Sequence, residues 1–463
     1  MALPSEHWRC LIKNTEAWRD PKKGVSILDI RKELTSAFSR LVLAVALFVS
    51  FGSELNAQDA VIKAGYLIDP ATGRIATQQS ILVQAGKIVA VGDNLKWSPA
   101  ARVIDLSHAW VLPGLGDAHQ HITLDFPPAP ARGSTWEALR LNQSTAERTL
   151  RGLRNASVLL NAGFTMIRDV GNAAEYADTE VRRAIERGWF TGPTMLNAGK
   201  IITPFGGQNP GTASERGSWW RDEYIDADGE EQMREAVRRN IYYGATVIKL
   251  AADSNSYHFG EEEVRIAVNQ AHRAGLTVAV HAYGSEAARE AIAAGVDSVE
   301  HGYELSDELF DLMKAKGTYL VATEMSAQNA MLLHGDIGMD AKTFHERSMQ
   351  RLQRAYRHGV RMAFGTDAIL ELANSTRADQ ILQQVEIWQE AMLPRQFILQ
   401  CMTANVASLM HMDKLRGAIR PGFAADIIAT TANPLENVAA LRKVIFVMKD
   451  GAVIRDSSAS TTQ

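Results

Sequence analysis

The sequence predicts an α/β fold: a parallel (β/α)8 TIM barrel with a small β-sandwich domain formed from both ends of the chain. Three observations predict it. Between residues 113 and 416, apolar strand-like segments alternate with helix-like stretches. Several of the helices stop at a glycine before the next strand: Gly163, Gly244, Gly275, Gly295, Gly317 and Gly359. Glycine tolerates the left-handed conformation that ends a helix. Residues 58–112 and 417–457 read instead as short strands and turns. Eight βα units over about 300 residues are the pattern of a parallel barrel.

The 463 residues are 46% hydrophobic, enough for a large core. Residues 1–57 stand apart as an expected leader. Arg31, Lys32 and Arg40 precede the apolar run 41–51. Eleven residues are too few to span a bilayer but fit a signal-peptide core. Cleavage near Ala57 would start the mature chain at Gln58 and send it to the periplasm or the medium, with no stable membrane anchor. It would also remove Cys10 and leave Cys401 alone, so no intramolecular disulfide is expected. The strand at 61–69 ends in the turn Pro70-Ala71-Thr72-Gly73, and 79–92 reads as a hairpin around Ala85-Gly86. The barrel strands are expected at 109–115, 164–170, 194–201, 246–251, 277–281, 297–301, 318–323 and 361–365. Helices are expected between them, among them 230–243, 261–274 and 285–294. Strands at 426–430 and 443–454 would return to the terminal β domain. With 49 basic against 53 acidic residues and no basic run, nucleic acid is excluded as a partner.

In a parallel barrel the chemistry sits at the C-terminal ends of the strands. The ionisable residues found there are few. The first strand leads into Gly116-Asp117-Ala118-His119-Gln120-His121. Residues i and i+2 of a strand share a face, so His119 and His121 can aim at one metal ion. The fourth strand carries Lys249, the fifth His281, the sixth His301 and the eighth Asp367. A lysine in an apolar strand is costly to bury charged. As a neutral amine it can take up carbon dioxide and become a carbamate, an anionic ligand able to bridge two metals. His108, His272, His334, His345, His358 and His411 read as loop or helix residues with structural or surface roles.

Pro113-Gly114-Leu115-Gly116-Asp117-Ala118-His119-Gln120-His121 resembles the metal motif of the amidohydrolase superfamily. Lys249, His281, His301 and Asp367 follow in the order and on the strands that family uses, and Gly417 to Asp426 resembles its return to the β domain. The subgroup resembled holds imidazolonepropionase-like and Xaa-Pro dipeptidase-like hydrolases and bacterial ochratoxin-degrading amidohydrolases. The resemblance implies two divalent ions, commonly zinc. His119, His121 and Asp367 would hold the more buried one and His281 and His301 the other, with carboxylated Lys249 and a hydroxide between them. Asp367 would accept the hydroxide proton and pass it to the leaving amine. The implied substrate is a small-molecule amide next to a free carboxylate: a dipeptide, an N-acyl amino acid or ochratoxin A. The implied assembly is a homo-oligomer, by analogy an octamer. Gln208 stands where many relatives have a histidine that holds the substrate carboxylate. Gln208, Tyr257, His258 and Tyr283 are the expected substrate-pocket residues. An export signal argues against an imidazolonepropionase-like cyclic amide hydrolase, and the full ligand set against a non-catalytic scaffold of this fold.

Overall fold

The structure, a computed structural model, describes residues 60–127, 142–171, 173–208, 213–253, 257–334 and 338–458. The expected leader lies outside them. Among the described residues, no helix is long and apolar enough to cross a membrane.

The chain opens with β1 (Ala60–Asp69), β2 (Arg74–Gln84), β3 (Lys87–Gly92) and β4 (Arg102–Pro113). Ten shorter strands follow among the helices: β5 (Leu115–Gln120), β6 (Phe164–Asp169), β7 (Thr194–Asn197), β8 (Ile201–Thr203) and β9 (Tyr224–Asp226), then β10 (Val247–Ala251), β11 (Thr277–Ala282), β12 (Ser298–His301), β13 (Tyr319–Val321) and β14 (Arg361–Met362). The chain returns through β15 (Ile427–Thr430), β16 (Val444–Lys449) and β17 (Ala452–Asp456).

Both ends build one sheet, in the order β17-β16-β15-β4-β1-β2-β3. The sheet curls on itself. Ile88 of β3 accepts from Gly422 N and donates to Phe423 O, so the far edge meets the segment leading into β15. Ile62, Ile81, Ile88, Ile104, Ile427 and Phe446 share the core enclosed in this way.

The barrel strands run parallel, β5-β6-β7 in one ladder and β8 with β10 to β14 in another. Single backbone bonds bridge the two ladders. Thr246 N donates to Asn197 O (2.8 Å), and Ala118 N to Phe364 O (2.8 Å). The strands are buried on both faces, as parallel strands between helices must be. Alternation decides which side chains enter the barrel. Ile248 and Leu250 join the large core cluster with Val278 and Val280. Val247 and Ala279 meet Val170 and Ala198 in a separate cluster. Lys249 shares the parity of Val247, and His281 that of Ala279, so both turn inward. Gly244 (φ 102°) and Gly359 (φ 72°) cap the helices Glu230–Tyr243 and Ala341–His358 in the left-handed conformation.

Three details differ from the sequence expectation. The first barrel strand is β5, not 109–115; that segment belongs mostly to β4, which pairs with β1 and β15 in the terminal sheet. The third barrel strand breaks after Asn197 and resumes as β8, which pairs with the extra strand β9. His108 lies within β4 rather than on a loop or helix.

Candidate functional site

His119, His301 and Asp367 each offer one ligand atom, and these atoms lie within 4.8 Å of one another. Their segments are more than 180 residues apart in sequence for two of the three pairs, and the packing of the parallel strands brings them together. Asp367 N donates to His119 O (2.9 Å), so the loop after β14 is pinned to β5. Asp117 is the second pin. Its carboxylate accepts from Thr366 Oγ1 (2.7 Å), Gln120 Nε2 (2.7 Å) and His119 N (3.0 Å). Burial pushes its carboxyl up to about 6 despite these bonds.

Each histidine of the motif has a set tautomer. His121 Nδ1 donates to the Gly171 carbonyl (2.9 Å), which can only accept. Its Nε2 therefore carries a lone pair, and that atom lies 3.4 Å from Asp367 Oδ1. His119 Nδ1 faces Glu300 Oε2 at 2.7 Å, so its Nε2 is likewise an acceptor. Glu300 is held in turn by Arg168 Nη2 (2.7 Å) and Ser298 Oγ (2.5 Å), while Arg168 Nε donates to Ala118 O (2.6 Å). Burial depresses the basicity of all four histidines, His121 to about 3, so their rings are neutral at neutral pH, the form a metal ion requires.

His301 Nδ1 meets Thr323 Oγ1 at 2.8 Å, and its ring stands 4.5 Å from that of His281 and 5.0 Å from that of His119. His281 Nε2 lies 3.6 Å from Asp253 Oδ1. Asp253 is fixed by the Tyr283 and Gly284 amides, both at 2.7 Å. Lys249, in the middle of β10 rather than at its end, is buried with no hydrogen-bond partner for Nζ. Burial brings its amine down to about 8, against the opposing pull of Glu300 and Asp367. Burial likewise pushes the Asp367 carboxyl up to about 7, although Lys249 and Arg377 act the other way.

A divalent cation fits this donor set. His119 Nε2, Asp367 Oδ1 and Lys249 Nζ are buried without partners. A buried polar atom left unpaired costs about 1–3 kcal/mol, and imidazole nitrogens of His119 and His301 gathered with an Asp367 oxygen within 4.8 Å form a donor set that a cation stabilises. The backbone is bent to the same end. His301 (φ 69°), Thr323 (φ 52°) and Asp367 (φ 53°) all adopt left-handed angles unusual for side-chain-bearing residues.

Of the expected pocket residues, Gln208 Nε2 lies 3.4 Å from His281 Nδ1, and the Tyr283 ring is 4.3 Å from that of His281. Tyr257 and His258 are placed differently. Tyr257 is 57% exposed and stacks on His258, whose Nε2 lies 3.8 Å from Glu286. The structure adds Glu300 and Arg168, to which the sequence assigned no role. A fully buried acid directly before a strand-end histidine was the available signal.

The family description "Amidohydrolase family" matches residues 110–454. The ochratoxinase of Aspergillus niger is 29% identical over 443 residues, covering 86% of this chain and 87% of that protein. Among solved structures, a Xaa-Pro dipeptidase with bound methionine in its active site is similar with a TM-score of 0.75 and 27% identity, over 85% of this chain and 99% of the other. The A. niger ochratoxinase structure has a TM-score of 0.73 at 25% identity, over 87% and 96%. With a family match across the whole barrel and likeness to hydrolases along nearly their full lengths, the chain belongs to the amidohydrolase family and is a hydrolase.

Proposed function

We propose that this chain is a metal-dependent amidohydrolase that cleaves an amide next to a free carboxylate. The observation that carries the reading is the gathering of ligand atoms of His119, His301 and Asp367 within 4.8 Å of one another, with Lys249 buried nearby and its Nζ without a hydrogen bond. His119, His121, His301, His281, Asp367 and Lys249 are the residues that would hold two divalent ions, with zinc the best match to the imidazole donors. Such ions supply Lewis acidity toward a carbonyl and lower the pKa of water. Asp367, whose carboxyl sits near neutrality, takes the proton from the attacking water and returns it to the leaving amine. Lys249 has its amine low enough to be partly neutral near pH 8. Its lone pair adds to the carbon of carbon dioxide and one proton is released, which leaves the anionic carbamate. Gln208, whose Nε2 lies 3.4 Å from His281 Nδ1, would orient the substrate.

The similarity to an ochratoxinase and to a Xaa-Pro dipeptidase supports an amide substrate, and a dipeptide bears its carboxylate next to the scissile bond. We extend the proposal to export after cleavage near Ala57, and to a homo-oligomer. The direct test is elemental analysis of the purified chain together with a hydrolysis panel of Xaa-Pro dipeptides, N-acyl amino acids and ochratoxin A. About two divalent ions per chain and turnover of at least one class are expected; full amidase activity in metal-free protein would sink the mechanism. Lys249→Ala should abolish turnover.

A further inference from the structure

We propose that Tyr283 and Tyr303 form an aromatic wall on the His281–His301 side of the site, selecting substrates with a planar aromatic group beside the scissile amide; this rests on the amide-hydrolase reading above and deepens it. Each tyrosine follows its histidine by two residues. Because β11 and β12 are adjacent and parallel, the two residues leave the barrel side by side. Their rings are 4.9 Å apart at 31°. Tyr283 lies 5.0 Å and Tyr303 5.8 Å from the His301 ring. These spacings fall within the range of favourable aromatic pairing.

The back of the wall is occupied. Arg351, from the helix Ala341–His358, stands over Tyr303 with its guanidinium carbon 4.5 Å from the ring centre. Arg351 Nη2 is anchored on Glu324 Oε1 (2.6 Å) and Ala322 O (2.9 Å). Tyr303 nevertheless stays 37% exposed. A tyrosine backed by a fixed cation, packed against Tyr283 and still 37% exposed offers stacking area already ordered, so a ligand ring does not have to pay for immobilising it. The same guanidinium disfavours cationic substrate groups.

The test uses non-cleavable ketone isosteres of N-acyl amino acids, titrated calorimetrically into the full chain as purified with its metal. The probes are 4-oxopentanoate, 4-oxo-4-phenylbutanoate and 2-benzyl-4-oxopentanoate. At least one aromatic probe should bind about tenfold more tightly than 4-oxopentanoate. Tyr303→Leu should cut that preference about five- to tenfold, the size of one lost aromatic pair, and Tyr303→Phe should keep it. Tyr283→Leu provides a second removal should Tyr303→Leu fold poorly, with thermal melts reporting on folding. Equal binding of all three probes, binding of none, or a preference unchanged in both leucine variants overturns the wall. Hydrolysis of N-benzoylglycine and N-acetylphenylalanine by the same preparations separates the two readings. If neither amide is cleaved while the preference holds and collapses in Tyr303→Leu, the wall stands and the amide reading falls.

Discussion

Glu300 shows how one buried carboxylate sets the behaviour of a ligand it never replaces. It accepts from His119 Nδ1 with one oxygen and from Arg168 and Ser298 with the other. A glutamine there would direct its oxygen to Arg168, because the guanidinium can only donate. Its NH2 group would then donate to His119 Nδ1, moving the ring proton to Nε2 and hiding the lone pair. Glu300→Gln should weaken metal binding about 10–100-fold with the fold retained, read by chelator competition. An unchanged affinity would remove Glu300 from the site's design. Gly365 is a steric counterpart. A Cβ there would stand 2.4 Å from Val321 Cγ1 and 2.9 Å from both the backbone N and Cβ of His119. Backbone atoms cannot step aside, so Gly365→Ala should cost about 1–3 kcal/mol and displace His119. Thermal denaturation and metal titration of that variant check both effects. Neither residue's role was readable beforehand, because each depends on what sits across the barrel rather than along the chain.

Elements were more legible than residues. The helices Glu230–Tyr243 and Ser285–Ala294 have the expected bounds, since apolar spacing and a following glycine are local signals. The first barrel strand was misplaced because 109–115 runs on into β5 without a break in extended structure other than Gly114, and only pairing partners divide the two. The return to the terminal sheet is secured by charge. Arg416 binds Asp426 (2.5 Å) and Asp450 (2.7 Å), and Lys449 lies 3.3 Å from Asp426. Asp426 is buried while Asp450 is half exposed. Losing Arg416 should therefore cost about 2 kcal/mol, between the exposed-pair and buried-pair values. Burial alone would raise the Asp450 carboxyl, but Lys449 and Arg416 outweigh it and hold the group below its usual range. A depressed carboxyl contributes stability above its unfolded value, near pH 4, and loses it as pH falls through that region. Arg416→Met should thus lower the melting temperature most at pH 7, with the gap to wild type narrowing below about pH 4 in calorimetric scans.

At the scale of the molecule, the six proposed ligands come from β5 and the residue after it, from β10, β11 and β12, and from the loop after β14. An ion held by such scattered groups binds the folded chain and not the unfolded one. Metal at about 100 times its dissociation constant then adds about 2.7 kcal/mol. Chelation should lower the melting temperature, and zinc should restore it; a melt indifferent to both would argue against a resident ion. Export is checked on protein from the native host, whose first residue should lie near Gln58 rather than Met1. The sequence by itself determined the barrel, the two-ended β domain and the inward parity of Lys249 and His281. Those follow from periodicity, and periodicity is a property of the chain. Tertiary structure alone decided the His121–Asp367 approach, the tautomer of His119, the pairing of Tyr257 with His258 and the Arg351 backing of Tyr303. These are through-space contacts between distant segments, fixed only when β5 meets the loop after β14. The His119–His121 pair is therefore half written in the sequence: their shared direction is local, and what they face is not.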